Sequence, residues 1–398
     1  MKRFLFILMA TMALLATAQN KPYITRVLEY CPAPGQFINT APAYTAGEPV
    51  DSLLSRALQL IGPEITPEHT EVVMGQTFFV PADTVAITES LISLGAYGGY
   101  VTFGFDHPVV NVADALDLQI AGNAFNGSCE PGIVMVSRDL NGNGLPDDPW
   151  YELAGSEYYK ETTQHDYEIT YYHTPADHKP TKLDRWVTDT TYIRWTSNDM
   201  FGATEGYIER NSFHTQNYWP LWQDVETLSF AGAKLPNNVN NQGGSGDQAM
   251  FYQDYYDWGY VDNRPDYLYN EPMTDSIAEN CNLGFDLEWA VDDTGKPVYL
   301  TQVDFVKVYT SMNQKGGWIG ETSTEVRGAI DLHPDAVPVE EPLEGDVNGD
   351  GVVSGADVTA LYGVLLDDMK PGGDPDVNHD NIVNGADVTA LYTLLLAQ

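Results

Sequence analysis

Asp346, Asn348 and Asp350 alternate with Val347 and Gly349, Gly351 follows them, and Asp357 closes a window of 12 residues. The same oxygen pattern returns 30 residues later at Asp376, Asn378, Asp380 and Asp387. Oxygen side chains at positions 1, 3 and 5, a backbone carbonyl at position 7 and a carboxylate at position 12 supply the six to eight oxygens that a calcium ion takes. The carbonyls at position 7 belong to Val352 and Ile382, and Ser354 and Asn384 stand at position 9, where a ligand often acts through water. Position 6 is Gly351 in one copy and Asn381 in the other, both of which accept a positive φ.

The two copies, DVNGDGVVSGADVTALYGVLL and DVNHDNIVNGADVTALYTLLL, are identical at 15 of 21 positions. Apolar residues at helical spacing follow each loop, over residues 358–366 and 388–396, and no helical pattern of full length precedes either one. A paired EF-hand is therefore not expected. The duplicated loop and helix resembles dockerin type I over residues 346–398. That resemblance implies a calcium-folded module that docks onto a cohesin-type domain of another protein. Positions 10 and 11, which help to set partner choice in the family, are Gly355-Ala356 and Gly385-Ala386 here, without a hydroxyl or a large side chain.

A third oxygen-rich loop, DLNGNGLPDD, occupies residues 139–148. Asp139, Asn141, Asn143 and the Leu145 carbonyl alternate around Gly144, and Asp147 and Asp148 close the set because position 12 is Trp150. A calcium loop between strands is expected, with an ordinary Asx-rich turn as the alternative.

Aromatic residues make up 12% of the chain, more than a core alone demands, and they cluster in NYWPLW (217–222) and FYQDYYDWGYVDN (251–263). Tyr and Trp faces beside carboxylates and amides suit sugar rings or flat cofactors. Trp219, Trp222, Tyr256, Trp258 and Tyr260 are the ring candidates, the last three sharing strand parity; core packing of alternate rings is the competing expectation. No zincin motif, nucleophile elbow, phosphate loop or dinucleotide fingerprint occurs. His165, His173 and His178 fall together but match no metal template, and a glycosidase-like pair among Glu130, Asp257 and Asp262 is not singled out among so many acids. No catalytic residue is assigned.

Nineteen basic against 57 acidic residues leave a net charge of −38, which excludes nucleic acid and anionic membranes as main partners. Lys2 and Arg3, an apolar run over residues 4–15 and Ala16-Thr17-Ala18 predict a secretory signal peptide over residues 1–18, too short in its apolar part to span a bilayer. The expected location is extracellular or at the cell surface, with the periplasm left open. Cys31, Cys129 and Cys281 allow one disulfide at most within the chain.

Short β-type runs at 100–105, 116–120, 132–137, 167–172, 191–196, 227–230, 284–291 and 304–310 are separated mostly by Gly, Pro, Asn or Asp, and the one helical pattern among them is 51–60, capped by Asp51 or Ser52. The fold class expected is mainly β: an antiparallel, jelly-roll-like β-sandwich over residues 19–332, an acidic Pro-rich linker over 333–345, and a small α-helical calcium-loop domain over 346–398. Residues 97–110, CEPGIVMVSRDLNGNGLPDDPWYELAGSEY (129–158) and DFVKVY (304–309) with GGWIGETSTEV after it resemble a group of Bacteroidetes cell-surface proteins. Some of these resemble components of cobalamin uptake loci, which implies corrinoid capture. The functional expectation is a secreted, calcium-binding, non-catalytic binding or assembly component; a dockerin-bearing glycan hydrolase and a corrinoid binder are the alternatives.

Overall fold

The computed structural model describes residues 20–73, 76–80, 82–245, 249–264, 284–338, 344–349, 352–367, 369–380 and 382–397. The signal peptide expected over residues 1–18, Asp350, Gly351, Asn381 and Cys281 lie outside the described residues. Two compact units divide the chain, residues 1–337 and 338–398. The chain is mainly β, with antiparallel sheets.

The first unit is built on ten principal strands: β1 (Arg26–Cys31), β2 (Tyr100–Gly104), β3 (Gly132–Ser137), β4 (Trp150–Leu153), β5 (Gln164–Tyr172), β6 (Val187–Ser197), β7 (Glu205–Asn211), β8 (Thr227–Lys234), β9 (Ala290–Val291) and β10 (Phe305–Thr310). A six-stranded sheet runs in the order β1-β2-β10-β3-β4-β9, and a four-stranded sheet in the order β7-β6-β5-β8. Alternation explains the layering. Val134, Val136, Val306, Val308, Val101 and Phe103 point to one side of the six-stranded sheet, into the main core shared with Leu53, Ala57 and Ile61. Ile133, Met135, Tyr309 and Tyr100 point to the other side and meet Ala233 and Leu235 at the end of β8. The sheets are joined there: the Tyr309 hydroxyl takes the Ala233 N–H at 3.1 Å and donates to its carbonyl at 3.3 Å.

The expected helix is present as α1, Val50–Ile61, but neither Asp51 nor Ser52 caps it. Pro49 occupies the N-cap without a side-chain hydrogen bond, and Asp51 lies in the first turn, where a negative charge suits the helix dipole. The run 284–291 is not one strand. Asp286 accepts the N–H of Glu288 and turns the chain into a 3-10 helix, Leu287–Trp289, between two short strands, Gly284–Phe285 and Ala290–Val291.

The second unit holds α2 (Gly355–Asp367) and α3 (Gly385–Ala397). Its core repeats with the sequence, pairing Val347 with Val377, Val358 with Val388 and Leu361 with Leu391.

Candidate functional site

Both loops of the second unit fold around their final carboxylate. Asp357 accepts the Asn348 N–H at 3.0 Å and the Ser354 N–H at 2.7 Å, and Asp387 accepts the Asn378 N–H at 3.2 Å and the Asn384 N–H at 2.7 Å. Position 12 is thus tied to positions 3 and 9 in each copy. Asp346 takes the Gly349 N–H at 2.8 Å, and Asp376 takes the Asp380 N–H at 3.1 Å. Among the described residues both copies are left-handed at position 4, Gly349 (φ 72°) and His379 (φ 55°). Asp357 and Asp387 are 0% exposed, and among the described residues neither makes an ion pair with a basic side chain. A buried carboxylate without a cationic partner is costly, and this donor set of carboxylates, Asn side chains and the Val352 and Ile382 carbonyls suits a hard divalent cation.

The loop at 139–148 repeats the same local geometry in the first unit. The position 5 N–H of Asn143 reaches Asp139 Oδ1 and Asn141 Oδ1, both at 3.0 Å, and the Leu145 N–H reaches Asn143 Oδ1 at 2.7 Å. The counterpart bonds from Asp380 to Asp376 and Asn378, and from Ile382 to Asp380, measure 3.1, 3.0 and 2.9 Å. Position 4 is again left-handed, at Gly142 (φ 69°). The closure differs: Asp148 takes the Leu140 N–H at 3.1 Å, and Asp147 accepts from the side-chain amides of Asn141 and Asn143. Asp304, at the foot of β10, holds the Asp139 N–H at 2.8 Å, a contact that lies 165 residues away in sequence.

The five ring candidates do not form a common platform. Trp219 is 3% exposed and packs edge-on against His173, and Trp222 packs beside Tyr30 and Tyr44. Tyr260, also 3% exposed, accepts the Glu157 N–H, and Tyr256 donates to the Pro236 carbonyl. Trp258 lies 4.7 Å from Trp289. The expected strand parity of Tyr256, Trp258 and Tyr260 fails because the strand stops at Gln253 and the chain turns through Gly259 (φ 84°), where a Cβ would stand 2.5 Å from the Gly155 Cα. The histidines also separate: His165 bonds the Tyr158 carbonyl, and His178 bonds Asp189. Cys31 and Cys129 are free thiols.

A group that spacing did not single out is Glu130, Asp262 and Glu325, which place one oxygen each within 4.8 Å of one another. Asp262 accepts the N–H groups of Asn123 at 2.7 Å and Glu325 at 3.0 Å, Glu130 accepts the Ser323 N–H, and Glu325 accepts the Ser323 hydroxyl. Burial, and then mutual repulsion, pushes Glu130 up to about 8; burial moves Asp262 up to about 7, and Glu325 rises well above the ordinary carboxyl range for the same reasons. Burial of the Asp262 and Glu325 carboxyl groups in this cluster favours their protonated forms. Asp257 is exposed and does not join the group.

A search of curated proteins finds no match to the chain. Residues 344–396 match the family model described as Dockerin type I domain, and that span contains both loops and both helices of the second unit. Domains of this family bind calcium and cohesins. The C-terminal unit of this chain is a dockerin type I domain.

Proposed function

We propose that the chain is an exported, calcium-dependent docking component whose second unit seats on a cohesin-type domain and whose first unit, about residues 19–332, is a non-catalytic binding module carried to that partner. The observation that carries the reading is a duplicated apolar surface. Val352 and Ile382 are 60% and 62% exposed, Leu366 and Leu396 are 75% and 86% exposed, and Tyr362 and Tyr392 stand exposed at the matching positions between them. Exposed apolar residues repeated in register on a small unit mark an interaction surface.

Asp346, Asn348, Asp350, Asp357 and the Val352 carbonyl hold one ion, and Asp376, Asn378, Asp380, Asp387 and the Ile382 carbonyl a second. The bound ions supply positive charge among the loop carboxylates. The 139–148 loop, with the matching hydrogen bonds given above, holds a third through Asp139, Asn141, Asn143, the Leu145 carbonyl, Asp147 and Asp148.

Isothermal titration of the full chain against a panel of type I cohesin domains tests the docking. Binding in calcium that vanishes in chelator, and that falls at least about tenfold in Leu366→Ala/Leu396→Ala, is expected. Absence of calcium-dependent binding to every cohesin in the panel would refute it.

A further inference from the structure

A cavity of about 340 Å³ lies in the first unit, where the β6–β7 side of the four-stranded sheet meets residues 312–321. Its size is at the lower end of the roughly 300–1,000 Å³ spanned by small-ligand sites. None of the rings singled out in the sequence belongs to it. Its lining carries two aromatic residues, the exposed Tyr207 and Trp195, the latter half-buried on β6 directly across from Gly206 of β7. A Cβ at 206 would stand 2.5 Å from the indole, so the glycine lets the ring lie against the neighbouring strand. Ile208 extends this apolar wall.

The rest of the lining mixes apolar residues, Ala96, Ala203 and Met312, with amides and four acids, Asp199, Glu205, Glu209 and Glu321. Asn313 and Gln314 come from the crossing segment, and Glu321 stands at its far end. The Glu321 Oε1 atom accepts the Gln36 N–H at 2.5 Å, while Oε2, shut off from solvent, makes no hydrogen bond. Asp199 contributes a second buried carboxylate, 3.4 Å from the Lys234 ammonium. Lys315 is committed to Glu209 at 2.6 Å, an ion pair that ties the crossing segment to β7.

We propose that this cavity is a binding site for a neutral polyhydroxylated ring, a saccharide of one or two units, lying against Trp195 with hydroxyls directed at Glu321 and the neighbouring amides. Three features select that chemistry. An aromatic face takes the C–H side of a sugar ring, carboxylates and amides take its hydroxyls, and an anion meets lysines already committed to carboxylates, Lys315 to Glu209 and Lys234 to Asp199. Burial raises the Glu321 carboxyl to about 7. The site lies wholly in residues 20–337 and needs no docking partner, so it stands or falls apart from the docking reading.

The test is calorimetric titration of the calcium-saturated full chain, without cohesin, against neutral mono- and disaccharides of glucose, galactose, mannose and xylose, with digalacturonate and cyanocobalamin alongside. Saturable binding of at least one neutral saccharide is expected, weakened about fivefold or more in Glu321→Gln, where a charge-assisted hydrogen bond becomes a neutral one. Trp195→Ala should abolish it. Because Trp195 also packs against the core of its sheet, Glu321→Gln, which keeps an oxygen for the Gln36 N–H, serves as the variant that preserves the fold, checked by circular dichroism. No saturable neutral saccharide, a smaller loss in Glu321→Gln, tighter binding of digalacturonate, or binding of cyanocobalamin alone would each overturn the proposal.

Discussion

Asp262 Oδ2 accepts the backbone N–H of Glu325 at 3.0 Å while an oxygen of each carboxyl group lies within 4.8 Å of the other, so one residue anchors the segment on which its carboxyl partner sits. The same pair ties together chain segments 63 residues apart, and Glu130 joins them just before β3.

Stability should therefore fall as pH rises. The folded-state values of Glu130, Asp262 and Glu325 lie above those of the unfolded chain, so the folded state holds extra protons from roughly pH 4.5 upwards, through about 7 for Asp262 and about 8 for Glu130. Their stabilising contribution is full below the unfolded carboxyl range and is lost through that window, by about 1.4 kcal/mol per pH unit for each extra proton. Urea unfolding of the first unit from pH 5 to pH 8.5 reads the slope. Glu325→Gln, which keeps a hydrogen-bonding side chain and removes the charge, should flatten part of it; an unchanged slope would show that other buried carboxyls raised into the same window, Asp117, Glu152 and Glu321, carry the dependence instead.

Tyr309→Phe should destabilise the first unit by about 1–3 kcal/mol. β8 lies at the edge of the four-stranded sheet, and the Tyr309 hydroxyl serves both backbone groups of its buried Ala233. Phe keeps the ring in place and leaves the Ala233 N–H without that partner, while the carbonyl still accepts from the Tyr97 hydroxyl at 3.3 Å. A shift in the chemical denaturation midpoint with unchanged slope is the expected readout, and no shift would mean that water replaces the hydroxyl.

The parts of this fold that were legible are those whose geometry is local. The β3 strand, residues 132–137, is a run of apolar residues with β-branched side chains bounded by Pro131 and Arg138, and α1 differs from its expected bounds by one residue at each end. The loops at 346–357 and 376–387 were readable because each oxygen that matters is within a dozen residues. Trp195 and Gly206 escaped notice because their relation is a strand register, and Glu130 and Glu325 because they are joined only by the packing of distant segments. The aromatic runs misled for the converse reason: parity implies a continuous strand, and the left-handed turn at Gly259 ends that premise.

The 139–148 loop makes a separate prediction for the first unit. If it binds calcium as its hydrogen-bond pattern suggests, Asp139→Asn should reduce the number of ions per chain by one. Asp139 is the residue to change because its two oxygens organise the turn through Asn143 and Gly144, and its own N–H is held by Asp304. Titration with calcium under competition from a fluorescent chelator counts the ions. Equal counts in the two proteins would leave this loop as an Asx-rich turn.

The second unit should lose its helices without calcium. Asp346, Asp357 and Asp387 are buried carboxylates in a segment of about 50 residues whose core is six valines and leucines, too little apolar surface to offset their repulsion. Asp357 and Asp387 also lie in the first turns of α2 and α3, so the groups that need the cation sit at the start of each helix. Two of the three α-helices among the described residues belong to this unit, which makes the far-ultraviolet signal of the full chain informative. Chelator should remove most of the helical signal and leave the β signal, and added calcium should restore it. In Asp357→Ala/Asp387→Ala the chelated spectrum should persist even at saturating calcium, because each loop then lacks the carboxylate that ties position 3 to position 9. A helical signal unchanged by chelator in the native chain would show that the six-residue core holds the fold alone and would remove the calcium loops from the account of its stability.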